Sequence, residues 1–136
     1  MRELQDSGFN QLLKAFALEG KPVYGGSAGA IVQGHDIRSA SHFDRNVAGD
    51  MAFEGLDLAG GHTIWPHYTP QDDERIVAFV REYRETVLAI SERSGVVVEA
   101  KGLRPVGFEP VYLFNHRGKI KMVGDNEQET NKLFGV

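Results

Sequence analysis

The sequence predicts an α/β fold with a largely parallel sheet flanked by helices and an antiparallel C-terminal β extension. Three observations carry that expectation. Segments of helical period alternate with short apolar runs through the first two thirds of the chain. A glycine-rich turn joins the first such run to a short helix. The last third is a succession of β-like runs separated by short turns, the pattern of a meander.

From about Asp6 to Glu19, residues Phe9, Leu12, Leu13 and Phe16 recur at helical spacing. Gly20 is a fitting stop, because glycine tolerates the left-handed geometry of a helix C-terminus. Lys21-Pro22 hands over to Val23-Tyr24, read as a short buried strand. Gly25-Gly26-Ser27 makes a tight turn, and Ala28–Val32 reads as a short helix ended by Gly34. Residues 35–64 form a long irregular loop region, of the kind that often carries function. It closes in a β-like run, His62-Thr63-Ile64, ahead of Trp65-Pro66-His67-Tyr68.

The second clear helix begins near Pro70. Asp72, Asp73 and Glu74 suit its positive N-terminal end, and Ile76, Phe79, Val80 and Tyr83 make its inner face. Strands are expected at 86–91, 95–99, 111–114 and 119–123, with Asn115–Gly118 as the turn joining the last two.

At 136 residues the chain suits one domain, residues 1–136, and its 41% hydrophobic and 25% charged residues are globular proportions. The net charge of −4, without a run of Lys or Arg, argues against nucleic acid as a partner. There is no cysteine, which excludes disulfides, thiolate zinc sites and a cysteine nucleophile and fits the cytoplasm. No apolar stretch approaches membrane-spanning length, and the start, MRELQDSGFN, lacks the apolar core of a targeting segment, so no membrane partner is expected. No HExxH spacing, phosphate-loop lysine or dinucleotide glycine pattern occurs, so neither metal nor cofactor is expected.

Gly25-Gly26-Ser27-Ala28-Gly29 fits the G-x-S-x-G nucleophile elbow. A serine at such an apex is held in strained backbone geometry with its hydroxyl outward, and small neighbours let the turn close tightly. The following helix aims its first N–H groups at the same spot, so the Ala28 N–H is a candidate oxyanion donor. The competing reading is a plain glycine-rich turn.

A serine nucleophile needs a base, and the histidines are His35, His42, His62, His67 and His116. His116 lies in a predicted turn, and His35 and His42 have no distinctive surroundings. His67 follows a strand-like run, behind Pro66 and between Trp65 and Tyr68. The end of a strand is where catalytic groups collect in open α/β sheets.

Gly25–Ala30, Pro66–Tyr68 and the run Val87–Glu92, in this order, resemble the dipeptidase E and cyanophycinase family of serine peptidases. The resemblance implies a three-layer fold similar to class I glutamine amidotransferases, with serine in place of their cysteine. It makes Ser27 the nucleophile, His67 the general base, Glu92 the acid that orients His67, and short peptides the substrates. Asp44 is the nearest counterpart of a further family acid in the loop after the elbow helix. Aspartyl preference in dipeptidase E rests on a basic residue near the start of the helix after Pro-His. Here that stretch, 69–75, is acidic apart from Arg75, so substrate preference stays open.

The family also carries about a further half-domain before the elbow, including strands and the loop that completes the oxyanion hole. The chain read as lacking that part leaves an exposed sheet edge, which a homodimer or a partner chain is expected to cover. Two other readings stand beside the peptidase. One is a catalytically weak or inactive remnant serving as a binding module. The other is an α/β-type esterase using Ser27, Asp57 and His67 or Ser27, Glu92 and His116.

Overall fold

The computed structural model describes residues 1–43 and 52–122, so Asp44 lies outside the described residues. The chain divides into two compact units, Met1–Ile64 and Trp65–Val136.

In the first unit, α1 (Arg2–Asp6) and α2 (Phe9–Leu18) are separated at Gly8, whose φ of 73° breaks the helical path. Gly20, at φ 80°, follows the end of α2 as expected. The apolar residues at helical spacing are not buried: Phe9, Leu12 and Phe16 are 45%, 60% and 41% exposed. The strand expected at Val23-Tyr24 does not form. Residues 21–26 are irregular and Tyr24 is 94% exposed. A strand needs a neighbour to take its backbone N–H and C=O groups, and among the described residues none pairs with this run.

The next helix, α3 (Ala28–Gln33), ends at Gly34 as predicted. Among the described residues, the chain that follows is irregular, as expected, and is held by backbone hydrogen bonds. Leu56 N–H donates to the Val32 carbonyl at 2.7 Å, His35 N–H to the His62 carbonyl at 2.9 Å and Gly55 N–H to the His35 carbonyl at 2.8 Å. Gly55 is required here, since a Cβ would lie 2.0 Å from the Gly34 carbonyl oxygen. Ser39, in a 3-10 turn at Arg38–His42, is fully buried and donates its hydroxyl to the Ile64 carbonyl at 2.8 Å. Buried Asp36 is gripped by both the backbone N–H and the guanidinium of Arg38.

The boundary between units falls within β1 (Thr63–Trp65). The second unit continues with a 3-10 turn at Pro70–Asp72, α4 (Asp73–Tyr83), β2 (Val87–Ala89), β3 (Ser94–Glu99), β4 (Gly102–Gly107), β5 (Val111–Asn115) and β6 (Gly118–Met122). Strand order in the main sheet is β1-β2-β5-β6, while β3 and β4 form a separate hairpin. Ile90 N–H bonds the Trp65 carbonyl and the Ile90 carbonyl accepts from Tyr68 N–H. A residue bonded to two positions that flank it on its neighbour is the parallel pattern. The pairs β2–β5 and β5–β6 are antiparallel, which is the expected C-terminal extension reaching further into the sheet than the sequence indicates.

The core of this unit is Trp65, Tyr68, Ile76, Phe79, Val80, Val87, Ala89 and Phe114. Three of the four predicted inner-face residues of α4 belong to it, and Tyr83 packs partly buried against it. At roughly 1.5–3 kcal/mol for each large apolar side chain buried, this cluster supplies much of what holds α4 to the sheet.

Candidate active site

The elbow lies at the start of α3. Ser27 is its N-cap residue at φ 51° and ψ −120°, a conformation that costs a non-glycine residue about 1–3 kcal/mol. Its side chain makes no capping hydrogen bond to the helix. Gly25 makes the turn possible, because a Cβ there would lie 2.1 Å from Gln33 Nε2 and 2.4 Å from the Gly29 carbonyl oxygen. The Ser27 carbonyl accepts from the N–H groups of Ala30 and Ile31 at 3.0 and 3.1 Å, which starts the helix. Ala28 is its first residue, so the Ala28 N–H has no intrahelical acceptor. The turn is preceded by irregular chain rather than a strand, yet the serine keeps the strained apex geometry the motif demands.

In the second unit the structure brings His67 and Glu92 together. His67 Nδ1 is hydrogen-bonded to Glu92 Oε1. A carboxylate only accepts, so Nδ1 carries the proton and Nε2 is the basic nitrogen. The two side chains are 41% and 72% exposed, and a pair that open contributes little to stability. Its geometry nonetheless has dedicated support on both sides.

His67 stands at φ 56° between buried Pro66 and buried Tyr68, so the chain turns its imidazole outward while anchoring both neighbours. The Tyr68 N–H bond to the Ile90 carbonyl, 3.0 Å, ties this turn to the segment leading into Glu92. After Tyr68, the N–H of Thr69 donates to Asp72 Oδ2 at 2.9 Å and its hydroxyl does so at 3.2 Å, fixing the start of the Pro70–Asp72 turn. On the other side, Glu92 sits in a turn laced by Ser91 and Ser94, whose hydroxyls lie 3.0 Å apart, with Ser91 N–H donating to Ser94 Oγ at 3.1 Å.

His35 pairs with Asp57 at 3.4 Å, and Asp57 also accepts from the Gly61 N–H at 3.0 Å. Burial lowers the pKa of His62, with the Asp57 charge opposing. His116 follows β5 in the turn into β6. Since Val87 pairs with Phe114, His116 falls beyond the N-terminal end of β2, while Glu92 lies beyond its C-terminal end. The two positions thus lie at opposite ends of β2. A cavity of about 360 Å³ lies at the His116 end, lined by Val80, Arg81, Arg84, Glu85, Thr86 and His116, away from the His67–Glu92 pair.

The sequence profile of peptidase family S51 matches residues 1–106, more than three quarters of the chain, including Ser27, His67 and Glu92. The chain belongs to peptidase family S51. This is the family of the resemblance read from Gly25–Ala30, Pro66–Tyr68 and Val87–Glu92. Among solved structures, the chain is similar to a candidate peptidase E protein from Listeria monocytogenes EGD-e, with a TM-score of 0.65 and 22% identity. The match covers 80% of this chain and 54% of that one, so the S51 chain spans about half the length of its structural neighbour. Among curated proteins none matches.

Contacts of the S51 chain near the pair that sequence reasoning missed are those of Ser91 and Ser94 around Glu92 and of Asp73 and Lys119 with Tyr68. A Ser-x-x-Ser spacing around Glu92 is a readable turn signal. Lys119 acts 51 residues from Tyr68 and 46 from Asp73, and no local pattern announces that contact.

Proposed function

We propose that this chain is a serine peptidase acting on short peptides, with Ser27 as nucleophile, His67 as general base and Glu92 orienting the imidazole. The observation that carries the reading is the His67–Glu92 hydrogen bond, made by two residues that follow neighbouring strands. Such strand ends are where open α/β sheets build their sites. The strained apex conformation of Ser27 supports its role.

In the proposed chemistry Glu92 keeps the proton on His67 Nδ1, so Nε2 takes the Ser27 hydroxyl proton as the oxygen attacks the peptide carbonyl carbon. The Ala28 N–H donates to the oxyanion of the tetrahedral intermediate. His67 then gives its proton to the leaving amine, and water releases the acyl group by the same steps in reverse roles. Arg75 pairs with Asp72 at 3.8 Å, which disfavours it as a reader of aspartyl side chains. An esterase built on Glu92 and His116 is disfavoured by their separation along β2.

A second chain, as a homodimer or a distinct partner, is part of this reading. The exposed apolar face of α2, with Phe9, Leu12 and Phe16, supports that part of the proposal. Hydrolysis of a panel of dipeptides and short peptides tests the function. Ser27→Ala should abolish turnover, a loss of about 10⁴-fold or more. Turnover that survives this substitution would rule the assignment out.

A further inference from the structure

The tether that holds His67 in place ends at Lys119, on a strand that the catalytic motifs do not reach. His67 sits at φ 56°, a backbone conformation that a residue with a side chain keeps only when its neighbours hold it there. The neighbour on its C-terminal side is Tyr68, 5% exposed. The Tyr68 backbone is bonded to Ile90, and its ring packs at 5.4 Å from Tyr112 and 6.1 Å from Phe114.

The far end of that ring is gripped by charge. Tyr68 Oη–H donates to Asp73 Oδ1 at 2.6 Å, while Lys119 Nζ donates to Tyr68 Oη at 2.7 Å and to Asp73 Oδ2 at 2.7 Å. Each of the three groups thus bonds the other two. The ammonium also lies 4.2, 5.3 and 5.5 Å from the ring centres of Tyr112, Tyr68 and Phe114, where an aromatic face attracts a cation. Burial works against the charged form of both Lys119 and Asp73. Their mutual bonds outweigh it, raising the pKa of the lysine and lowering that of the aspartate. Burial and the bond to Asp73 raise the Tyr68 pKa, so the hydroxyl remains neutral.

We infer that Lys119, through Asp73 and Tyr68, is a positioning residue that sets the orientation of the His67 imidazole toward Glu92. Lys119 touches neither member of the pair in this role; it immobilises the side chain adjacent to His67 in sequence. Ile90, which receives the Tyr68 N–H, lies two residues before Glu92, so the clamped tyrosine also fixes the register of the two strand ends. Displacement of a base by a fraction of an ångström is enough to slow proton transfer, and about tenfold or more is the expected scale.

This inference rests on the serine-peptidase reading for its consequence in catalysis, but not for its geometry. The experiment is therefore proton NMR of the full chain, following the low-field Nδ1–H resonance of His67, assigned by its loss in His67→Ala. Peptide hydrolysis is measured in parallel. In Lys119→Met the resonance should shift upfield or broaden, and kcat should fall about tenfold at unchanged KM. Lys119→Arg should restore both. A resonance unmoved in folded Lys119→Met overturns the inference. If Lys119→Met does not fold, Tyr68→Phe, which removes only the hydroxyl, decides the matter by the same resonance. A clear Nδ1–H resonance that responds to Lys119 in a chain without hydrolytic activity would uphold the positioning role while removing the peptidase reading.

Discussion

Glu92 is 72% exposed and His67 is 41% exposed, so their bond is a poor source of stability and a good means of selecting a tautomer. Glu92→Gln should accordingly leave the melting temperature unchanged and lower kcat by about 10²–10⁴-fold, because the amide no longer holds the proton on Nδ1. Steady-state kinetics beside a thermal melt check this. An equal loss of stability and activity would make the pair structural. His62 has the opposite character. Burial depresses its pKa below 6.5, with the Asp57 charge partly offsetting that effect. The unfolded chain therefore binds this proton more tightly than the folded one, and stability falls as pH drops below about 6.5 toward the folded pKa. Melting temperature against pH should decline through that window, and His62→Gln should flatten the decline.

Among the elements, α4 shows how far hydrophobic period carries a prediction. Ile76, Phe79 and Val80 at helical spacing are buried in the structure, and the Pro70 start and acidic first turn were equally readable. The same period in α2 gave a helix without a core, since spacing reports a face and not what covers it. Ile76→Ala should cost about 2–5 kcal/mol in denaturant unfolding, whereas Leu12→Ala in the monomeric chain should stay within about 0.5 kcal/mol. Comparable losses would mean that α2 is packed in solution. Strand β4 went unread because Pro105 and Arg104 interrupt its pattern. In the hairpin Pro105 lies opposite Val96, where the strand is an edge and tolerates a missing N–H. The run Val23-Tyr24 failed for the converse reason: apolar character suffices to suggest a strand but cannot supply its partner. The clamp on β6 is built to last across neutral pH. Asp73, with its pKa lowered, contributes stability that is lost only as pH falls below the ordinary carboxylate range. Lys119, with its pKa raised, contributes stability that is lost only as pH rises beyond the ordinary lysine range.

For the whole molecule, the left-handed φ of Ser27 and the His67–Glu92 contact occur in short stretches whose residue types have a mechanical reason, which is why the sequence singled them out. The elbow needs small residues around the serine, and a strand end needs a rigid exit. Their supports were not legible, since Lys119 reaches Tyr68 across 51 residues of sequence. Nor does sequence reveal what covers an exposed apolar helix. If a second chain covers α2, light scattering should return twice the mass of the chain or retain a co-purifying partner, and Leu12→Asp should weaken that association. A monomer of full activity would contradict it. The central claim, that Ser27 is an activated nucleophile, is tested most directly by covalent labelling of the folded protein with a fluorophosphonate probe, the modified residue being located by mass spectrometry. The account predicts rapid labelling at Ser27 that is lost in His67→Ala and slowed in Glu92→Gln. A well-folded protein that stays unlabelled, or that labels equally well without His67, would contradict it.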